Sequence, residues 1–509
     1  MFRRIISVGG WTLVSRATGF ARDVLTAAIM GAGPVADAFV VAFRLPNHFR
    51  AIFGEGAFNA AFIPTYGAAH EQAGADAARR FADGVYTLML GTQIVLLALV
   101  LAFMPGFVGL LAPGLASRPE TFDLAVALTR ITFPYLLLIT LVTLLSAILN
   151  AHDRFWAAAA APILLNLSMI AALATAWAFP TAGHAAAWGV AVSGVLQLGL
   201  VGWDVTRAGF RPRLAWPRTE GGALGRFFRR LGPALVGSAG IQIAMFADTI
   251  IASTLAAGAL ASLYYAERLY QLPLGVVGIA AGTVLLPTMS RLVAAGDPEG
   301  AHTAQNRALG LTLALSAPCA VAFLTAPDLI VSALFQRGAF DAEAARRAGE
   351  VLAAYAIGLP AAVIIRSATA SFYSRGDTTT PLWASLSGYG VNVALKLALV
   401  GSLGVVGLAL ATSVGAWVNV AVVWLLAVRR RYSAPSRTLG KAIGATAIGC
   451  AILTGFVLLA RPLLAGAMAP LGPLAGLATL GALATGGLVL YAGAFLGSAR
   501  LLRLRLGRA

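Results

Sequence analysis

The chain has 509 residues, of which 59% are hydrophobic and only 11% are charged, and its mean hydropathy is +0.83. This composition excludes a soluble protein and predicts an all-α polytopic membrane protein. Its long apolar runs lack the alternation of an outer-membrane barrel. The net charge of +17 is carried in short loops between apolar runs, where it sets orientation, so no nucleic-acid partner is expected.

Apolar runs bounded by proline, glycine and charge clusters predict about fourteen transmembrane helices. Their predicted cores are residues 5–30, 36–65, 82–112, 122–150, 156–178, 185–205, 227–254, 259–290, 305–330, 346–374, 380–401, 405–428, 440–462 and 473–497. The connection at 203–230 is the longest and most basic one, and it divides the first twelve helices into two sixes. We therefore predict an N-terminal lobe at 1–210, a C-terminal lobe at 225–430, and two further helices at 438–500.

The two predicted lobes share short sequence matches in the same order. The segment around Arg44 aligns with the segment around Arg268, and the turn at Arg154 resembles the turn at Arg375. Since six crossings return the chain to the same side, the two repeats have like orientation and a pseudo-twofold axis along the membrane normal. The predicted binding site is the central cavity between the lobes.

Basic residues are distributed unequally between the two predicted sides of the membrane. Of the 37 basic residues, 24 lie on the side of the termini, 5 on the opposite side and eight inside predicted spans. This asymmetry predicts that both termini are cytoplasmic. The first helix is interpreted as a retained span, because Ser15-Arg16 interrupts its apolar run without a cleavage site.

Five arginines lie within stretches that otherwise have the composition of membrane spans, namely Arg16, Arg22, Arg44, Arg50 and Arg268. A guanidinium at the centre of the bilayer costs roughly 2.5–3.5 kcal/mol on insertion scales, and such residues face water-filled cavities. The guanidinium fork matches phosphate oxygens in geometry and charge. The arginines therefore predict a transporter whose cationic cavity binds a phosphate-bearing headgroup while an attached lipid tail stays outside.

Acidic residues accompany these arginines at a spacing of seven. Arg16 and Asp23 share one face of the first helix, and Asp37 and Arg44 share one face of the second. Because each pair is separated by about 10 Å along the helix axis, direct pairing within one helix is excluded. The arginines are thus expected to keep a net positive field. The alternative is that they extend to the interface or pair with acids on other helices.

The second predicted helix contains a break. Pro46 removes a backbone hydrogen bond and is expected to open a polar notch. Arg50 and Glu55 follow it. Asp37 and Glu55 are the candidates for ion or proton coupling.

No motif indicates catalysis or a cofactor. A Walker sequence is absent, and His70-Glu71 lacks the second histidine of a zinc-protease motif. Cys319 and Cys450 lie in apolar segments without metal or disulfide spacing. We expect no enzymatic activity, no metal and no cofactor.

The chain resembles the MurJ (MviN) lipid II flippases of the multidrug/oligosaccharidyl-lipid/polysaccharide exporter superfamily. The resemblance covers essentially the whole chain and is most specific in the first two helices. It is carried by Ser15-Arg16, Gly19-Phe20-Ala21-Arg22-Asp23, Asp37-Ala38-Phe39, Phe43-Arg44-Leu45-Pro46-Asn47, Arg50, Phe53-Gly54-Glu55-Gly56-Ala57-Phe58, Phe133-Pro134-Tyr135, Tyr264-Tyr265-Ala266-Glu267-Arg268-Leu269, Leu286-Pro287 and Phe372-Tyr373-Ser374-Arg375.

The resemblance implies that the protein moves lipid II, an undecaprenyl-diphosphate-linked peptidoglycan precursor, to the outer leaflet of the bacterial inner membrane by alternating access. It also implies that the last two predicted helices, at 438–500, form a groove for the lipid tail. Lipid II and membrane lipids are the expected partners, cell-wall synthesis proteins are further candidates, and a monomer is expected. The resemblance and the residue arguments together give a substrate-binding set of Ser15, Arg16, Arg22, Asp23, Asp37, Arg44, Arg50, Glu55 and Arg268.

One departure from the family concerns a sodium ion that some members are believed to hold in the second lobe. The positions that match its ligands are Asp248, Asn392, Lys396, Leu408 and Thr412. Lys396 stands where a carboxylate would be wanted, and its ammonium would repel sodium and could pair with Asp248. The hypothesis is that this chain lacks the sodium site.

Three functions other than lipid II translocation are the alternatives. An exporter of another polyprenyl-diphosphate oligosaccharide could use the same arginines. A cation-coupled drug exporter is disfavoured because the arginines would repel cationic substrates. A membrane enzyme acting on polyprenyl phosphates would need paired acids or histidines at an interface, and the sequence does not offer them.

Overall fold

The computed structural model describes the backbone of residues 2–54, 57–216 and 222–503, and, within them, the side chains of 9–50, 58–216, 222–235, 242–278 and 285–503. The described residues are predominantly helical and contain no strand, which confirms the predicted all-α class. The helices are α1 (Phe2–Met30), α2 (Pro34–Gly54), α3 (Ala57–Ala102), α4 (Met104–Leu111), α5 (Pro119–Thr132), α6 (Pro134–Ala151), α7 (Trp156–Ala174), α8 (Ala182–Arg207), α9 (Ala223–Ser253), α10 (Ala259–Ala294), α11 (Pro298–Thr325), α12 (Pro327–Phe335), α13 (Ala342–Tyr373), α14 (Thr379–Arg429), α15 (Arg437–Met468) and α16 (Ala475–Leu501).

The longest helix, α14, is a helical hairpin. A straight helix of 51 residues would be about 77 Å long, more than twice the thickness of a bilayer core. Gly404 interrupts it with a φ of 53°, a backbone conformation that glycine adopts without a steric penalty. The two arms then pack closely, because a Cβ at Gly407 would lie 2.9 Å from the Leu399 carbonyl oxygen. Likewise α3 bends at Gly74, and Phe62 stacks on Phe81 across the bend at 5.5 Å.

Eight helical stretches within the described residues are long and apolar enough to cross a membrane. Two of them, Phe58–Ala102 and Thr379–Arg429, each include one of these bends. Helices α1 and α2 are not among the eight, since their arginines and acids lower their hydropathy. The number of about fourteen crossings stays a prediction.

The chain forms two compact units. The first contains Met1–Ala261 and Arg337–Phe340, and the second contains Ser262–Gln336 and Asp341–Ala509. The division at Ala261 falls one helix later than the predicted boundary near 210–225, because α9 packs within the first unit. Phe227 of α9 lies against Phe62 and Phe81 of α3. The predicted lobe and C-terminal boundaries remain predictions.

Candidate functional site

The buried polar cluster of the first unit is centred on Arg22 of α1. The side chain of Arg22 is buried, and its Nε and Nη2 donate to Asp23 Oδ1 at 3.0 and 2.6 Å. Its Nη1 donates to Asn166 Oδ1 of α7 at 3.0 Å. The guanidinium carbon also lies 5.7 Å from the ring centroid of Phe43, within cation–π range. Arg22 is therefore held from three directions.

The pairing of Arg22 with Asp23 corrects the expectation that none of these arginines is neutralised locally. That expectation considered residues seven apart on one helix face, where about 10 Å separates the side-chain origins. Asp23 is instead the next residue, and the long arginine side chain folds back to reach it. In a buried site such a pair needs further hydrogen bonds to offset desolvation, and Asn166 provides one.

Asn166 is a site residue that the sequence interpretation missed. Its Nδ2 donates to the Ser15 carbonyl oxygen at 2.9 Å and to Thr18 Oγ1 at 3.1 Å. A Cβ at Gly19 would lie 3.4 Å from the same Nδ2, so the glycine leaves room for this contact. The available signal was an amide in the otherwise apolar α7, because a buried amide requires hydrogen-bond partners.

The remaining predicted residues of the first unit are placed on α1 and α2. Arg16, Arg44 and Arg50 are partly buried. The Nε of Arg50 approaches Asn47 Oδ1 at 3.4 Å. Glu55 lies outside the described residues.

The predicted notch at Pro46 is filled from within the first unit. Proline has no N–H for the carbonyl four residues earlier, which is that of Ala42. The Ala42 carbonyl oxygen accepts a hydrogen bond from Thr132 Oγ1 of α5 at 2.6 Å. Asn47 Nδ2 donates to the next carbonyl oxygen, that of Phe43, at 2.8 Å. The helix therefore continues through Pro46 with its freed carbonyl satisfied.

Asp37 lies at a different polar cluster from Arg22. It is fully buried at the start of α2, and its Oδ2 and Oδ1 accept from the backbone N–H groups of Gly258 and Ala261 at 2.7 and 3.0 Å. These groups belong to the first turn of α10 and the residue before it, where a carboxylate is favoured by the helix dipole. In this conformation Asp37 therefore caps a helix, whereas the sequence interpretation placed it in the substrate-binding set.

Arg118 completes the Asp37 cluster, whereas in the sequence analysis it is only one of the five basic residues counted on the side opposite the termini. Its Nη1 lies 3.7 Å from Asp37 Oδ2. Its Nη2 donates to the carbonyl oxygens of Ser253 and Leu255 at 3.0 and 3.3 Å. The loop before α5 is thus fastened to the end of α9, a long-range contact that local patterns do not reveal.

In the second unit, Arg268 of α10 is partly buried, and its guanidinium carbon lies 4.6 Å from the ring centroid of Tyr264. Tyr264 is fully buried, so it provides a fixed aromatic face one turn earlier on the same helix. The adjacent Glu267 accepts a hydrogen bond from Gln271 Nε2 at 2.9 Å.

Three members of the predicted second-lobe cluster, Asn392, Lys396 and Thr412, lie on the two arms of α14. Thr412 Oγ1 lies 3.5 Å from Asn392 Oδ1 across the hairpin. Lys396, one turn after Asn392 on the same arm, is completely buried. Among the described residues, no group of three or more histidine, cysteine or acidic side chains could hold a metal ion. A buried ammonium beside Asn392 does not fit a sodium site, because it repels the cation electrostatically. Asp248 belongs to the first unit.

An apolar cavity of about 310 Å³ lies in the second unit between α11, α12, α15 and α16. Leu453 and Val457 of α15 line it together with Leu483 and Tyr491 of α16. The Tyr491 hydroxyl donates to the Ala314 carbonyl oxygen at 2.6 Å and is thus satisfied within the wall. The cavity therefore presents a nearly continuous hydrocarbon surface.

The architecture matches solved structures of membrane transporters. An inward-facing multidrug resistance MATE family transporter of the MOP superfamily matches with a TM-score of 0.66 and 20% identity, covering 83% of this chain and 94% of that chain. A structure described as "Lipid II flippase MurJ, inward closed conformation" matches with a TM-score of 0.81 and 23% identity, covering 98% and 100%. These likenesses show that the chain shares its fold with both of these proteins.

Sequence comparison is more specific. The family model described as "Lipid II flippase MurJ" matches residues 26–472. A "Probable lipid II flippase MurJ" of Rhizobium meliloti (strain 1021) is 40% identical over 478 residues, covering 93% of this chain and 89% of that protein. The "Lipid II flippase MurJ" of Burkholderia cenocepacia is 36% identical over 438 residues, covering 85% and 84%. The chain belongs to the MurJ family, which confirms the resemblance identified from its motifs.

Proposed function

We propose that this protein translocates lipid II from the inner to the outer leaflet of the cytoplasmic membrane by alternating access. The observation that carries the proposal is the 40% identity, over 93% of the chain, to a protein described as a probable lipid II flippase. The superfamily fold supports transport rather than catalysis as the activity. We further propose that both termini are cytoplasmic, from the asymmetry of the basic residues.

The headgroup is bound by arginines in this proposal. Arg16, Arg44, Arg50 and Arg268 are each partly buried on helices that carry the family motifs. Two guanidinium forks can bind the oxygens of one diphosphate in a bidentate manner, which an ammonium cannot do. Arg22 has a supporting role, because Asp23 and Asn166 already hold its donors in the present conformation.

The apolar cavity between α11, α12, α15 and α16 supports the proposal that the C-terminal helices hold the lipid tail. Its wall is lined by aliphatic and aromatic carbon, which accepts a hydrocarbon chain without an unpaired polar group. Gly487 of α16 lies in this wall, and its missing side chain leaves Leu453 in direct contact with the α16 backbone.

The membrane potential alone suffices as the energy source in this proposal. A diphosphate diester carries about two negative charges, and each is worth about 2.3 kcal/mol per 100 mV. With the cytoplasm negative, outward movement of the headgroup is electrically downhill. Sodium coupling through the second unit is not included, because Lys396 occupies that region.

The proposal is tested by complementation of a strain depleted of its lipid II flippase. The wild-type chain should restore growth, whereas Arg16→Ala and Arg268→Ala should not, although both variants accumulate in the membrane. Arg130→Ala and Arg366→Ala are matched controls, because these arginines also lie in predicted spans but are exposed. Failure of the wild-type chain to rescue would instead favour another polyprenyl-diphosphate oligosaccharide as substrate.

A further inference from the structure

The connection between α8 and α9 is fastened along α3. Three contacts made by its residues 209–215 are spaced along one face of the second arm of α3. They are Arg79 Nη2 to the Gly209 carbonyl oxygen at 2.6 Å, the Arg213 N–H to Asp83 Oδ1 at 3.0 Å, and the Ala215 N–H to Thr87 Oγ1 at 2.9 Å. Arg79 also lies over the ring of Phe210 at 5.7 Å.

The order of these contacts gives the connection a direction. Positions 79, 83 and 87 are one turn apart, so the contacts extend about 12 Å along the α3 axis. They begin near the charged start of this arm and end where the apolar run from Leu88 to Ala102 begins. The connection therefore descends from the aqueous end of α3 to the level at which its membrane-spanning surface starts.

At that level the connection exposes apolar side chains. Leu214 is 72% exposed and Trp216 is 86% exposed, and Arg211 and Arg213 beside them are also exposed. Tryptophan at the end of an apolar span is typical of the membrane interface, where its ring is amphipathic. Exposure of the indole and the leucine side chain to water is unfavourable, so contact with an apolar surface would stabilise this segment.

The charge of the same segment is strongly positive. Residues 205–230 contain seven arginines and one acidic residue, Glu220. Orientation by the positive-inside rule accounts for the arginines alone. It does not account for the fastening to α3 or for the two bare apolar side chains, which lie beside Arg211 and Arg213 and therefore suit a surface that is both anionic and apolar.

We propose that residues 211–216 form an in-plane membrane anchor that binds anionic phospholipid. Leu214 and Trp216 enter the interface between headgroups and acyl chains, and Arg211 and Arg213 contact lipid phosphates. The assignment of the anchor to the cytoplasmic leaflet rests on the proposed orientation of the protein. The depth of the anchor in the membrane and its preference for anionic lipid depend neither on that orientation nor on which lipid the protein transports.

Spin-label accessibility measures the depth directly. In a Cys319→Ala/Cys450→Ala background, Trp216→Cys and Asp76→Cys are labelled in the full-length protein in phosphatidylglycerol-containing liposomes. Asp76 is the matched control, because it is exposed near the aqueous bend of the same α3 arm. The label at 216 should be several-fold more accessible to oxygen than to a water-soluble nickel chelate, and the label at 76 should show the reverse. Equal nickel accessibility at the two positions would overturn the anchor.

Lipid preference is tested with the same label at 216. Its depth should decrease when phosphatidylglycerol is replaced by phosphatidylcholine, and it should decrease with added salt because exposed charges are screened. Arg211→Gln/Arg213→Gln should remove both dependences. The contact to Asp83 uses the Arg213 backbone and is kept. Arg346→Gln, an exposed arginine on α13, should change neither. A depth that is independent of lipid charge in the unmodified segment would exclude anionic recognition.

The fastening is tested with Asp83→Ala. Loss of the Asp83 acceptor should release the connection from α3, so the label at 216 becomes more mobile. Unchanged mobility in a folded Asp83→Ala variant would contradict the role assigned to α3.

Discussion

The turn that ends α6 in the first unit and the turn that ends α13 in the second are built alike, with acid and base exchanged. After α6 the Arg154 N–H donates to the Leu149 carbonyl oxygen at 2.9 Å, and Asp153 has a φ of 62°. After α13 the Asp377 N–H donates to the Phe372 carbonyl oxygen at 3.1 Å. Both are left-handed helix endings of the same hydrogen-bond pattern.

An ion pair links each turn to the end of the second predicted span that follows it in the chain. Arg154 pairs with Asp204 of α8, whereas Asp377 pairs with Arg430, directly after α14, at 2.7 Å. An ion pair attracts equally well when the acid and the base exchange places. The repeated fold therefore needs an ion pair at this turn, but either of the two residues can be the acid. This is why the sequence match at Arg154 and Arg375 was faint: the counterpart of Arg154 in function is Asp377.

The interiors of the two units differ more than their turns. The first unit buries Arg22 with Asp23 and Asn166, a cation with a carboxylate and an amide. The second buries Lys396 in the α14 hairpin that also contains the Asn392–Thr412 contact. The predictions below test which of these similarities and differences matter, from the largest expected effect to the smallest.

The largest effect is expected from the interior of the first unit. Asn166→Leu removes one acceptor from Arg22 and two bonds to α1, so complementation of a flippase-depleted strain should be lost. Leaving a buried charged donor unsatisfied costs about 1–3 kcal/mol or more. Leu167→Ala, at an exposed neighbouring position, should grow normally. Normal growth with Asn166→Leu would show that Arg22 needs no positioning by α7.

The exchange of charges in the turns gives the next prediction. Asp204 is 1% exposed, so Asp204→Ala should destabilise the first unit by about 2 kcal/mol, measured by thermal unfolding in detergent. Arg154→Asp/Asp204→Arg should recover most of that loss, because it reproduces the order of the second unit. A double variant no more stable than Asp204→Ala would contradict the equivalence of the two turns.

The interior of the second unit is tested with sodium. Unfolding of the wild-type protein should occur at the same temperature in sodium and choline salts. Lys396→Asp places a carboxylate beside Asn392 and Thr412, so sodium at ten times its Kd should stabilise that variant by about 1.4 kcal/mol. Lys396→Met is the control without a new ligand. Stabilisation of the wild-type protein by sodium would show that this chain retains a sodium site.

The smallest effect is expected at the turn of the second unit. The Thr380 backbone N–H and hydroxyl donate to Asp377, and Arg430 lies beside it, so the pKa of Asp377 is lowered from its ordinary value. A lowered pKa in the folded state means that the stabilisation is complete above the ordinary pKa of 3.8 and is lost as the pH falls through the folded value. Because the pair is exposed, Asp377→Asn should cost within about 1 kcal/mol at neutral pH. Equal loss at neutral and at strongly acidic pH would contradict this assignment.

The helical class and the position of α14's bend follow from hydropathy and glycine, which are local properties of the chain. For Arg22 the sequence analysis predicted a water-filled cavity, whereas the structure buries this side chain. Its partners were not predictable in this way, because Asn166 lies 144 residues away and the reach of a side chain is not a periodic signal. Arg118 and Gly258 were missed as partners of Asp37 for the same reason. Charge counts identify residues near a membrane, but they do not say which backbone groups a side chain will satisfy.

The central claim is the proposal that Arg16, Arg44, Arg50 and Arg268 bind the diphosphate of lipid II. Translocation of fluorescent lipid II by the purified protein in liposomes, with a negative interior potential imposed or removed, tests it most directly. The account predicts potential-accelerated translocation by wild type and Arg130→Ala, and none above protein-free liposomes by Arg16→Ala or Arg268→Ala. Wild-type rates in both of the latter variants would contradict it.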